Sequence, residues 1–273
     1  VEVRMLDVGE GSATLVRTPG RHAALLDAGP DDAGVPEQLR GLGVRRLDLV
    51  LISHPHADHF GGLVGLAGSV PVGMLVDAVV GDGTSGGAGA PPSEAADYFR
   101  LRGLLLAGGA TYQRAESGQT LRLGPVDVQL FPPSDPLDPT TGAWEGERIN
   151  AASIAVVVRW EDLAILVPGD AEAAELARRR APPVDVLFVP HHGSRAGVTS
   201  RLLAAISPAL ACISVGAGNT FGHPAAETLQ VLEQAGVPIV RTDRSGWISL
   251  ARPGGELAVR VAHSAVSGGE SLQ

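Results

Sequence analysis

Six consecutive residues constrain this chain more than any others. Residues 47–53 read LDLVLIS, an apolar run of buried-strand length, and the run ends at His54-Pro-His-Ala-Asp-His59. Four ligand-type side chains within six residues are costly to bury unless a cation satisfies them. In an extended segment His54 and His56 point the same way, so two imidazoles can grip one ion. Asp58 and His59 stand just beyond, at the entry to a helix that follows Gly61-Gly62, and can turn toward a second ion. A fold for this chain must therefore bring the end of a rigid buried strand to a polar cleft.

Other polar groups recur where apolar strands end. Asp27 follows HAALL, Asp170 follows LAILVPG, His191-His192 follow VDVLFVP, and His223 follows ACISV by a Gly-rich loop. Strand-end loops on a rigid sheet are where binding and catalytic groups concentrate. Asp170 is the carboxylate able to sit between two ions and hold both. Ions roughly 3.5–4 Å apart can activate water together and clamp the oxygens of a displacement at phosphorus. With nitrogen and oxygen ligands alone, Zn²⁺ and Mn²⁺ both suit, and oxygen-rich coordination leans toward Mn²⁺.

The rest of the pattern supplies the scaffold. Short strands are expected over 1–8, 13–18 and 22–27, a helix over 35–42, the buried strand at 47–53 and a helix over 94–107. The second half reads as two short strands over 121–130, a hairpin over 153–160 and 163–168, and a helix over 171–180. A strand at 184–189, a helix over 199–206, a strand at 209–215, a helix over 225–235 and three terminal strands complete it. This order favours an α+β architecture, an αββα sandwich of two mixed sheets flanked by helices, over a doubly wound parallel sheet. Residues 1–273 are expected to form a single domain, with 81–93 (GDGTSGGAGAPPS) as a flexible surface loop. Arg178, Arg179 and Arg180 read as a solvated helix end, and Cys212 as core packing.

Composition removes several function classes. One cysteine excludes a disulfide framework and a Cys-rich zinc module. No apolar run approaches the ~18–20 residues needed to cross a bilayer. Net charge is −9 and all 21 basic residues are Arg, so the chain lacks the broad cationic footprint of a non-specific nucleic-acid binder. Val1 opens in the middle of a strand-like pattern, as expected of a piece of a longer protein.

HPHADH is an HxHxDH motif, and with LLDAG before it and VPGD after it the chain resembles the metallo-β-lactamase superfamily. LDVGEGSATLV at the opening, HHGS at 191–194 and SVGAGNTFGHP at 214–224 are similar to the C-terminal hydrolase domain of the ComEC/Rec2 DNA-uptake (competence) channel family. The resemblance covers residues 6 to about 224. It implies an αββα fold and a metal-dependent nuclease that degrades the non-transported strand during natural transformation. DNA would be the substrate and a membrane channel domain of the same full-length protein the partner, with no small-molecule organic cofactor. The full-length protein would sit in the cell membrane with this domain on its extracellular or periplasmic face, the fragment itself being soluble.

By position, the resemblance gives His54 and His56 to the first metal, Asp58 and His59 to the second, and Asp170 to both. His223 would complete the second site, and Asp27 would orient the HxHxDH loop through hydrogen bonds. His191 and His192 would act as general acid or phosphate contacts, with ligation by one of them open, and Arg195 would hold a phosphate. Two departures stand out. No histidine lies between 59 and 191, so the usual third histidine is absent and Asn150 stands in its place. The opening turn is GEGS where the family more often has GQGD. The alternatives are a phosphodiesterase for another substrate, such as a phosphorylcholine ester, and a non-catalytic DNA-binding or gating module. A choline reader needs an aromatic cage, and none is evident in the sequence.

Overall fold

The computed structural model describes residues 1–81, 93–138 and 144–263. The chain opens with three antiparallel strands, β1 (Glu2–Met5), β2 (Thr14–Arg17) and β3 (Ala23–Leu26). Helix α1 (Val35–Gly41) follows, with Pro36 in its first turn where the missing N–H is not needed. Strand β4 (Leu47–Leu51) then joins β3 in parallel. Leu49 and Leu51 face the opposite sheet while Val50 and Ile52 lie under helices. Burial on both faces is why β4 reads as a continuous apolar run.

Short helices α2 (Ala57–Phe60) and α3 (Leu63–Leu66) lead to β5 (Val72–Asp77), and α4 (Ser93–Ala107) leads to β6 (Thr111–Arg114). Strands β7 (Thr120–Leu123) and β8 (Val126–Phe131), helix α5 (Gly146–Ala151), and strands β9 (Ala155–Trp160) and β10 (Leu163–Val167) build an antiparallel meander. Parallel crossovers follow: α6 (Ala173–Arg178), β11 (Val186–Phe188), α7 (Ser200–Ile206), β12 (Leu210–Ile213), α8 (Ala226–Gln234) and β13 (Ile239–Arg241). After α9 (Thr242–Ser245), strands β14 (Ile248–Ala251) and β15 (Ala258–Val261) return to pair beside β1.

The first sheet runs β15-β14-β1-β2-β3-β4-β5-β6 and the second β13-β12-β11-β10-β9-β8-β7. Val3, Leu26, Leu51, Val128, Val156, Ile165 and Phe188 pack between them. Leu39, Leu63 and Tyr98 of α1, α3 and α4 cover the outer face of the first sheet. Leu176, Leu202 and Leu232 of α6, α7 and α8 cover that of the second. This is the αββα sandwich that the order of elements implies, with both sheets mixed.

Three details differ from the sequence pattern or fall outside the description. Strands β5 and β6 are additions: Gly73 interrupts the apolar run of β5, and the largely exposed TYQR of β6 carries little hydrophobic signal. Arg179 is no solvated helix end. Its side chain is 9% exposed, and its guanidinium donates to the carbonyls of Phe131, Ala151 and Ser153, tying down the segment that enters β9. Burial lowers its pKa to about 10. The 81–93 stretch lies, apart from its ends, outside the described residues.

Candidate metal centre

Parallel neighbours β3 and β4 in one sheet, and β10, β11 and β12 in the other, all end at the same edge of the sandwich. Their following loops bring together six of the chain's eight histidines. Asp27, at the end of β3, anchors the first set. It is buried with φ of 57°, an uncommon conformation for a non-glycine residue. Its Oδ1 accepts the Ser53 N–H at 2.7 Å, and its Oδ2 accepts the Ser53 hydroxyl at 2.8 Å and the His59 Nδ1–H at 2.9 Å. The His59 ring is thereby fixed with Nε2 facing the cleft. His192 is fixed the same way, its Nδ1–H donating to the Ser214 carbonyl at 3.0 Å.

The second sheet supplies the central carboxylate. Gly169, two residues past the end of β10, has φ of 56°, and a Cβ there would stand 2.7 Å from Ser53 Oγ. Only glycine allows this approach, and it sets Asp170 beneath the HxHxDH loop. The Asp170 N–H donates to Ser153 Oγ at 3.1 Å, and Ser153 and Ser53 hydroxyls each lie 3.0 Å from His54 Nδ1.

Asp170 presents one oxygen to each side. Oδ2 is 3.6 Å from His54 Nε2 and 3.7 Å from His191 Nε2. Oδ1 is 3.3 Å from His59 Nε2 and 4.0 Å from His192 Nε2. Asp58 Oδ2 closes the second side, 3.6 Å from His59 Nε2 and 3.3 Å from His192 Nε2. Two triplets, His54–His59–Asp170 and Asp58–His59–His192, each place their donor atoms within 4.8 Å of one another. The buried His59 Nε2, Asp170 Oδ1 and His192 Nε2 have no hydrogen-bond partner. A buried polar atom left unpaired costs about 1–3 kcal/mol. Three of them facing one another fit a divalent cation, which satisfies all three at once.

The electrostatics make the same demand. Burial opposes charge on His59, but Asp170, Asp58 and Asp27 outweigh it and raise its pKa well above the usual histidine value. Burial likewise opposes ionisation of Asp170, and His59, His54 and His192 hold its carboxyl well below the usual range. Burial, and next to it the neighbouring His59, push His54 well below the usual value. The carboxylates hold the pKa values of both His59 and His192 up, so the cluster favours positive charge, and a metal ion answers the same need more fully.

The remaining sequence-derived residues divide. His56 lies at the cleft mouth, its Nδ1 3.1 Å from His54 Nε2. Asn150, on α5, sits beside the cluster with Nδ2 3.4 Å from His191 Nε2 and a buried Oδ1 that has no partner. His223 stands outside both triplets. Its loop carries it to the rim, where Nδ1 donates to Glu10 Oε1 at 3.1 Å, while His192 stands beside Asp58 and His59. Arg195 does not reach the cleft. Positive φ at His191 and His192 turns the chain outward, and Arg195, 79% exposed, pairs with Glu227 of α8 at 3.0 Å.

Three carboxylates were missed. Glu172 Oε1 accepts the Ser194 hydroxyl at 2.6 Å and the His191 Nδ1–H at 3.1 Å, aiming His191 Nε2 at the cleft. Glu10 accepts the Gly216 N–H at 2.9 Å as well as His223, so the departing GEGS turn has a use. Glu94, at the start of α4, accepts the Ala57 N–H at 2.9 Å. The available signals were local: a glutamate two residues after Asp170, and one in the altered turn. Together these groups surround a cleft of about 390 Å³ that reaches from Glu94 to Phe221.

Residues 6–78 match the family model of the metallo-beta-lactamase superfamily. The chain has the metallo-beta-lactamase fold, and the superfamily model matches its first part. The superfamily fold implies a divalent metal, and the His/Asp triplets are able to hold one. The domain is 30% identical over 254 residues to competence protein ComA of Neisseria gonorrhoeae, covering 89% of this chain and 31% of that protein. It is 24% identical over 270 residues to ComE operon protein 3 of Bacillus subtilis, covering 90% and 32%. The chain thus spans about a third of the length of these curated relatives. Among solved structures, Zn²⁺-bound PqqB from Methylobacterium extorquens superposes with a TM-score of 0.60 at 14% identity, covering 92% of this chain and 100% of that one. At that identity the likeness concerns the metallo-beta-lactamase fold alone.

Proposed function

We propose that this metallo-beta-lactamase domain is a metal-dependent phosphodiesterase acting on DNA, the hydrolase part of a competence protein. The observation that carries the reading is Asp170, whose two oxygens face two sets of histidines; its Oδ1 and the facing His59 Nε2 and His192 Nε2 have no hydrogen-bond partner among the described residues. Similarity to competence proteins over about 90% of the chain supports the choice of DNA as substrate. His54, His56 and Asp170 would hold the first ion, and Asp58, His59, His192 and Asp170 the second, with Mn²⁺ favoured over Zn²⁺. When bound, such a pair supplies Lewis-acid stabilisation of a displacement at phosphorus and lowers the pKa of the attacking water.

The chain's own groups do the rest. Asp27 and the Ser214 carbonyl fix the two imidazoles of the second set. Glu172 orients His191, whose Nε2 stands at the cleft beside Asn150 Nδ2 and, in the imidazolium form, would protonate the leaving oxygen. Asn150 Nδ2, beside His191, is a neutral donor for a phosphoryl oxygen. In the full-length protein the domain would sit beside a membrane channel on the outward face and degrade the strand that is not taken up. The test is incubation with linear duplex and single-stranded DNA in Mn²⁺, Zn²⁺, Mg²⁺ or EDTA, beside Asp58→Ala. Cleavage is expected with a divalent ion only and is lost in the variant. Cleavage that survives chelation overturns the reading.

A further inference from the structure

Phe221 is 71% exposed, the highest value among the exposed large apolar side chains of the described residues. Scattered surface hydrophobics are ordinary, and three observations set this one apart. First, it lines the same cleft as Asp58, Asp170 and His191. Second, its loop is built to hold it there. The Asn219 carboxamide donates to the carbonyls of Gly216 and His223 at 3.1 and 2.7 Å, and accepts the His223 N–H at 3.1 Å. One side chain thus closes both ends of the 220–222 tip, and Glu10 pins the loop from below through Gly216 and His223. Third, the ring has a set orientation. It stacks on His223 with centroids 6.0 Å apart and planes 20° from parallel, and His223 lies 5.4 Å from His191. A flat apolar face is therefore held in water two ring steps from the group aimed at the leaving oxygen.

We propose that Phe221 is a base-stacking subsite, a platform on which one unpaired nucleobase rests while an adjoining phosphodiester lies at the metal centre. The placing of that phosphodiester rests on the phosphodiesterase reading; the stacking itself does not. The chemistry suits this chain. At net charge −9 it has no broad cationic field to hold a nucleic-acid backbone. Stacking on an aromatic face needs no such field and accepts any base, because every base has a π-face. It also selects the form of the substrate. In a duplex each base is covered by its neighbours, so Phe221 can take only the base of a single strand or of a frayed end.

The test uses short single-stranded oligodeoxynucleotides with phosphorothioate linkages, which resist hydrolysis, bound to the metal-loaded protein. One carries 2-aminopurine, whose fluorescence reports stacking; a second series carries an abasic residue at each position in turn. The wild type is expected to change 2-aminopurine emission and to bind the intact strand roughly ten- to a hundredfold more tightly than the strand abasic at the stacked position. Phe221→Ala should lose both effects, and Phe221→Trp should restore them. If Phe221→Ala keeps the discrimination, or the wild type shows none, the proposal is overturned. Hydrolysis of methyl 4-nitrophenyl phosphate, which has no base, is measured in parallel on the wild type and reads the metal centre separately from the stacking. Failure of the wild type to hydrolyse both that ester and DNA counts against the phosphodiesterase reading and leaves the fluorescence result to decide the subsite.

Discussion

Removing the Asp27 carboxylate strands the buried Ser53 N–H, and it leaves the Ser53 hydroxyl only His54 Nδ1 at 3.0 Å and the His59 Nδ1–H only the Ser53 hydroxyl at 3.5 Å. A buried donor left unpaired costs about 1–3 kcal/mol, although water or relaxation can recover part of this. More important for the metal centre, His59 loses the bond that fixes its tautomer and ring direction. Asp27→Ala is therefore expected to lower the melting temperature and to weaken Mn²⁺ or Zn²⁺ binding about 10- to 100-fold, read by calorimetric titration. Unchanged metal affinity would show that His59 keeps its orientation without Asp27. The same logic of one atom fixing another recurs at Glu172 and His191, at Glu10 and His223, and at the Ser214 carbonyl and His192. At this scale each histidine is held through one ring nitrogen so that the other can work.

Among the elements, β1 is the one whose attachment should respond to pH. Glu2 bonds to Arg17 of β2 and to Ser249 of β14, joining the two neighbours of β1, and to Arg4 within the strand. Burial pushes the Glu2 pKa up, but the Ser249 hydroxyl, Arg17 and Arg4 outweigh it and bring it from 4.5 to about 2. A depressed carboxylate pKa contributes stability that is complete above the unfolded value and lost on acidification. The melting temperature should thus fall between about pH 4.5 and 2, and Glu2→Gln should flatten that part of the profile. An identical slope in wild type and variant would remove Glu2 from the account. Legibility also divides by element. Strands buried on both faces, such as β4 and β10, announce themselves as apolar runs, and HxHxDH and Asp170 are visible because polar residues follow those runs abruptly. Edge strand β6 is polar and half of its identity is its place beside β5. Arg179, Glu10 and Glu172 were not legible because their partners are fixed by packing between distant segments: Glu10 and His223 are 213 residues apart. No local periodicity encodes such a pair, and the placing of His192 rather than His223 beside Asp58 has the same origin.

Over the whole molecule, the charge is distributed against the function proposed for it. Arg17, Arg21, Arg45 and Arg46 line a hollow of about 710 Å³ at the starts of β3 and β4, the far ends of the strands that lead into the cleft. The cleft itself is edged by Glu10, Asp58, Glu94 and Asp170, so a DNA strand entering it meets carboxylates rather than guanidinium groups. On the proposed function, affinity would then come from the metal centre, with room for one or two phosphates, and from contacts that are indifferent to salt. Counterion release scales with the number of phosphates neutralised, about 0.7 per phosphate for single strands. The logarithm of the binding constant should accordingly fall with the logarithm of salt concentration at a slope of about −1. Chelation should abolish most of the binding. Fluorescence anisotropy of a labelled single strand, titrated from about 50 to 200 mM salt with Mn²⁺ present, measures both. A slope near −5 would mean that many phosphates are engaged at once, which the cleft cannot provide. In that case the arginine hollow must be bound too, and the double variant Arg45→Ala, Arg46→Ala would bring the slope down by about one to two. If the slope is shallow and the double variant leaves it unchanged, the strand is held at the cleft end alone.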